Sequence, residues 1–220
     1  MNQVRENCIR ILDRIRNAAA RVGRDPATIR LVAVTKTVQV DNIREALACG
    51  IRHIGENRLQ EAIPKRASLQ DVPATWHFIG HLQTNKARKV LEVFDWVQSV
   101  DRLELAEKLS AAAVRPLPIL IEVKLHDEPS KSGVTVSSLK DLVPSIRQLT
   151  NLDLRGFMAI PPYFDDPERT RPYFRKLREV AADFGLPELS MGMSHDFEVA
   201  VEEGATMVRI GTALFGARQQ

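Results

Sequence analysis

The stretch LVAVTKTVQVDNIREALACGIRHIGE, residues 31–56, decides the fold. It opens with an apolar run, LVAVTK (31–36), whose β-branched residues favour a strand. A helix-patterned segment follows at about 41–49, with Asp41 ahead of it as a start signal, and strand character resumes at HIGE (53–56). Strand, helix and strand in so short a span make the βαβ unit, which lays its two strands parallel.

Working outward, the same alternation continues. Further strand candidates are HFIG (77–80), WVQSV (96–100), ILIEVK (119–124), LRGFMAI (154–160), ELSMG (188–192) and MVRIG (207–211). Helical patterns separate them near 57–68, 84–92, 102–113, 137–149, 168–183 and 195–203, with Asp101 and Asp166-Pro167 as two more start signals. Eight strands alternating with helices are the number that closes a barrel. An open doubly wound sheet would show a glycine-rich G-x-G-x-x-G first turn, and that pattern does not occur here. Upstream, residues 2–22 read as an amphipathic helix carrying Val4, Cys8, Ile11, Leu12, Ile15, Ala19 and Val22 on one face, ended by Gly23 and Pro26. The expected architecture is one α/β domain over 1–220. It is a (β/α)8 TIM barrel over 30–218 behind an N-terminal helix within 1–23, with no second β domain.

Composition narrows the function classes. Of the 220 residues, 44% are hydrophobic and 27% charged, an ordinary globular balance. No apolar run approaches membrane-spanning length, and the N-terminus lacks the apolar centre of a signal peptide, so the expected compartment is the cytoplasm. The net charge is only +3. Its densest basic cluster, Lys86, Arg88 and Lys89, falls on a helix without interleaved aromatics, which reads as a solvated face and not a nucleic-acid surface. Cys8 and Cys49 are too few for a disulfide framework, and Cys8 belongs to the packing face of the first helix. His77 and His81 are four apart, but on a strand running into a loop they do not converge as on a helix, so no metal site is expected. With no large apolar stripe evident, monomer is the default.

Barrels of this kind act at the C-terminal ends of their strands. The first strand delivers Lys36, on the same face as Val32 and Val34. A lysine at an apolar mouth is partly desolvated, which favours the neutral amine that forms an imine with an aldehyde. The last two strands deliver SMGMSHD and RIGTALFG, with Gly192 and Gly211 at their turns. The Gly211-Thr212 amides and the Ser194 hydroxyl suit a phosphate dianion. Arg209 shares a face with Met207 and so points inward, where a buried guanidinium needs a partner. That partner is either a pyridine nitrogen lone pair or Glu122.

LVAVTK, HIGENRLQEA, WHFIGHLQTNK, SVD, SKSG, LSMGMSHDFEVA and VRIGTALFG, in this order, resemble the pyridoxal phosphate homeostasis protein family over nearly the whole chain after the first helix. The resemblance implies a barrel similar to the N-terminal domain of alanine racemase, with pyridoxal 5′-phosphate (PLP) held on Lys36 as an internal aldimine. It gives Ser194, Gly211 and Thr212 to the phosphate and Arg209 to the ring nitrogen, and places Asn57 and His81 at the mouth as further cofactor contacts. Lys124 departs from the family, where an asparagine is common. An open site without a second acid/base suits holding and releasing the cofactor, so the expected role is to buffer or deliver PLP without evident catalysis, with apo PLP-dependent enzymes as candidate partners. Two alternatives from the residues alone are a small amino-acid racemase and a Schiff-base phosphosugar aldolase. Racemisation needs a second acid/base; Tyr163 is a candidate, although covering the cofactor edge is its more ordinary role. Lys131 in SKSG is a candidate transient acceptor, or simply a solvated loop lysine.

Overall fold

A computed structural model describes residues 3–126 and 132–216. Eight parallel strands form a closed ring: β1 (Arg30–Val34), β2 (His53–Glu56), β3 (Thr75–Phe78), β4 (Trp96–Val100), β5 (Leu117–Lys124), β7 (Leu152–Met158), β8 (Glu188–Met193) and β9 (Met207–Ile210). They run in the order β4-β3-β2-β1-β9-β8-β7-β5, and pairing of β4 with β5 closes the barrel. A two-residue strand, β6 (Val134–Thr135), pairs with β5 outside the ring. The strand count, the parallel direction and the N-terminal helix expected from the sequence are all present.

The main core lies between the barrel and its helices. Alternate strand residues such as Leu31, Ile54, Val97, Ile119, Phe157 and Val208 point outward and are buried under the helical layer. Each such side chain contributes about 2 kcal/mol by leaving water. The helices that cover them include α1 (Gln3–Arg21), α2 (Val40–Ala48), α3 (Leu59–Ser68) and α5 (Leu103–Ala112). The layer continues with α6 (Leu139–Arg147), α7 (Arg171–Asp183), α8 (Phe197–Glu202) and the one-turn α9 (Thr212–Phe215). A short α4 (Ala87–Leu91) follows a 3-10 turn at Thr84–Lys86, and Lys86, Arg88 and Lys89 on this segment are exposed, as a solvated face requires.

Helix α1 buries Val4, Cys8, Ile11, Ile15 and Ala19 as its pattern predicts. Val22 lies beyond the helix end and is exposed, because the chain turns at Val22 and Gly23 to reach Arg24. Of the three helix starts, Asp166 holds: its carboxylate accepts the Glu168 N–H at 3.0 Å. Asp41 instead sits in the first turn of α2 behind the cap residue Gln39, and Asp101 precedes the cap residue Arg102. No helix among the described residues is long and apolar enough to cross a membrane.

Candidate functional site

β1 ends at Val34, and the next four residues turn sharply, with the Val38 N–H donating to Thr35 O at 2.9 Å. Lys36 occupies the second position of this turn and Thr37 the third, with φ +62°. A β-branched residue is rare in that conformation, which costs about 1–3 kcal/mol unless its surroundings impose it. Here they do. Lys65 Nζ donates to Thr35 O at 2.6 Å, and the Glu61 carboxylate accepts the Thr37 N–H at 3.0 Å. Thr35 Oγ1 and Lys65 Nζ both donate to Glu56 Oε1 at 2.6 Å, so the fully buried Glu56 is paired with the lysine that pins the turn. The turn presents Lys36 to a cleft of about 390 Å³, whose walls include Val34, Asn42, Gly211 and Thr212. The first and last strands thus bring the lysine and the Gly211-Thr212 turn to one cavity.

Ser194 joins them from the loop after β8. Its Oγ accepts the N–H groups of Gly211 at 3.3 Å and Ala213 at 3.1 Å. Amides converging on one oxygen make a place where an anion is favoured. Gly192, at φ +89°, lets the end of β8 pack closely on α8: a Cβ there would lie 2.5 Å from Ala200 Cβ.

Arg209 is buried and points inward. Its Nη1 donates to Ser190 O and Ser190 Oγ, both at 2.7 Å, and Nη2 to Ala159 O at 3.0 Å. These bonds, and not an ion pair with Glu122, are its partners in the protein. Burial lowers its pKa to about 10, opposed by Glu122 and Asp196, so it stays protonated at neutral pH. Three of the five N–H groups of a guanidinium are used, leaving capacity for a ligand acceptor. Glu122 shares the interior, and burial, aided by Asp101, pushes its carboxyl up to about 7. Lys124, two residues on, falls on the same side of β5 and is half-buried.

Asn57 follows β2 at the mouth, and its Oδ1 is buried without a hydrogen-bond partner. Such an atom is costly unless a ligand or water satisfies it. The next loop leans on it: a Cβ on Gly80 would lie 2.3 Å from Asn57 O. His81 is on the rim, with its side chain 54% exposed and Nδ1 3.5 Å from Asp101 Oδ2. Tyr163 is 75% exposed, with its ring 5.3 Å from that of His195, the residue after Ser194. Lys131 lies outside the described residues.

The residues present suit PLP: an amine, a donor-rich anion cradle and an arginine with N–H groups to spare surround one mouth, beside an unpaired amide oxygen. The alanine racemase N-terminal domain family matches residues 7–219. The pyridoxal phosphate homeostasis protein of Pseudomonas aeruginosa is 50% identical, over 99% of this chain and 97% of its own length. The chain belongs to the pyridoxal phosphate homeostasis protein family. Other members are as extensively similar, that of Escherichia coli being 43% identical over 99% of this chain and 98% of its own. The PipY structure from Synechococcus elongatus with PLP bound superposes with a TM-score of 0.83 at 42% identity, covering 94% of this chain and 100% of that one. Alanine racemase from Corynebacterium glutamicum, at 16% identity and TM-score 0.73 over 99% of this chain and 62% of its own, shares the barrel.

Within this family member, sequence reasoning missed the polar interior of the barrel. His53, His77, Gln98 and Ser190 all hydrogen-bond inside it. The available signal was a polar residue amid apolar neighbours in each of four strands, at His53, His77, Gln98 and Ser190. Glu56 and Lys65, behind the Lys36 turn, were missed as well.

Proposed function

We propose that this chain binds PLP covalently through Lys36 and serves to store and hand on the cofactor within the cytoplasm. The observation that carries this is the single cleft lined by Lys36, Gly211 and Thr212. Ser194 completes the phosphate cradle, Arg209 faces the ring nitrogen, and Asn57 offers its unpaired oxygen at the mouth, with His81 further out on the rim. When bound, the cofactor supplies an electron-withdrawing ring joined to an amine through its aldehyde. Arg209 donates to the ring nitrogen without releasing its proton, which keeps that ring a weak electron sink.

The protein acts without catalysis on this reading. Racemisation needs an acid/base opposite the lysine within hydrogen-bond reach of the substrate carbon. Tyr163, the candidate for that role, is turned to solvent beside His195. Where no described residue takes that place, exchange of the cofactor with other amines is favoured, so apo PLP-dependent enzymes are the recipients this reading implies.

The test is an absorbance spectrum of the purified protein with PLP, then borohydride reduction and peptide mapping. A yellow species bleached by borohydride, with the adduct on the Lys36 peptide, is the expected result. A protein that is colourless as purified and gains no imine when PLP is added would overturn the proposal. Exchange of the α-hydrogen of alanine in D₂O, lost in Lys36→Ala, would instead establish a racemase.

A further inference from the structure

A single row of hydrogen bonds runs from Arg209 down the inside of the barrel. Arg209 Nη1 is 2.7 Å from Ser190 Oγ, which is 2.7 Å from Gln98 Oε1. Gln98 Nε2 is 2.9 Å from His77 Nδ1, and His77 Nε2 is 3.0 Å from His53 Nδ1. Ser190, Gln98 and His77 have no exposed surface.

For an isolated pair of imidazoles the proton positions would be open. Here one end of the row settles them, because a guanidinium can only donate. Ser190 accepts from Arg209 and passes its one hydroxyl proton on to Gln98 Oε1. With the amide oxygen so placed, Nε2 donates to His77 Nδ1, and its second N–H faces Met207 Sδ at 3.3 Å. His77 therefore carries its proton on Nε2 and donates to His53 Nδ1. His53, receiving there, carries its own proton on Nε2. Turning the amide round would set its oxygen against the Met207 sulfur and strand the Ser190 proton. Burial, with the positive charge of Arg30 alongside, holds both rings below their ordinary pKa, His53 at about 4 and His77 well below, so both are neutral near pH 7.

We propose that Ser190, Gln98 and His77 are positioning residues for Arg209, forming a relay whose every bond points away from the guanidinium. Aligned bonds polarise one another, so each link strengthens the next. The relay fixes the plane of the guanidinium and leaves its remaining N–H groups turned to the mouth. Arg209 then meets the ring nitrogen as a donor in one orientation. This rests on the reading of Arg209 as the ring partner.

The first measurement needs no variant and no cofactor. Long-range ¹⁵N–¹H correlation spectra of the full chain, recorded from about pH 6 to 8, report imidazole tautomers directly. Neutral Nε2–H forms are expected for both His53 and His77. A His77 found as Nδ1–H, or as a cation in that range, overturns the relay.

The second measurement uses Ser190→Ala, which removes one oxygen and little volume. The relay predicts that His77 then samples both tautomers, that PLP dissociates about tenfold faster, and that the absorption maximum shifts while the adduct stays on Lys36. A serine that is merely structural would lower the unfolding temperature and leave the imidazole signals and the spectrum in place, which overturns the proposal. Wild-type protein with fixed tautomers that takes up no PLP on Lys36 overturns the site reading, and the relay's role toward the ring with it, through a separate signal.

Discussion

Glu122 is a half-buried carboxyl group beside Asp101, and its pKa of about 7 against an ordinary 4.5 makes it a lever on stability. The folded state holds the proton more tightly than the unfolded chain does. The stability this confers is complete below about pH 4.5 and is lost as pH rises through about 7. Urea unfolding of the cofactor-free protein should therefore show stability falling across that window, and Glu122→Gln should flatten this part of the profile. Parallel profiles for the two proteins would mean that Glu122 titrates normally. The residues at the strand ends, Lys36, Ser194, Arg209, Gly211 and Thr212, were legible in the sequence because reactive and small residues there have few other uses. The row from Ser190 to His53 was not. A polar residue in a largely apolar strand fits either face until the ring closes and decides which side is inside. Glu56 and Lys65 were hidden for a related reason, since an acid and a base nine residues apart become partners only when α3 folds back over β2.

At the scale of the elements, periodicity located all eight barrel strands and the helices between them, but start signals were less dependable. Asp166 caps the turn leading into α7 because the chain arrives there extended and Pro167 fixes the next residue. Asp41 cannot do the same, since the anchored turn at Lys36 starts α2 earlier, at Val40. Asp101 is engaged by Arg102 and lies near His81 at the mouth. Asp166→Ala should accordingly cost about 1 kcal/mol in urea unfolding, whereas Asp41→Ala should stay within about 0.5 kcal/mol. Equal losses at the two positions would contradict the cap assignment. Strand β6 was invisible to pattern reading because two residues carry no period.

The whole molecule depends on closure of the ring, and Gly156 is where the tolerance is smallest. It pairs with Glu188 across β7 and β8, and a Cβ at position 156 would lie 1.8 Å from Glu188 O. No side-chain adjustment relieves a clash with backbone. Gly156→Ala should part these strands and lower the thermal midpoint by roughly 10 °C or more, the scale of a severe core lesion in a domain of this size. A midpoint within about 2 °C of wild type would show that the barrel yields at this seam.

Helix α1 packs against α8 and α9, where Arg14 meets Glu198 at 2.6 Å, Arg21 meets Glu202 at 2.6 Å, and Asn7 Nδ2 donates to Leu214 O at 2.9 Å. These partners lie 181 to 207 residues apart in the chain. During translation α1 is made well before α8 and α9, which cover much of its inner face, with an interval on the order of 10–40 s at ordinary elongation rates. The same docking steadies the segment that carries Gly211 and Thr212. Until α8 and α9 leave the ribosome, part of α1 stays uncovered and the anion cradle stays unfinished, and both are completed together.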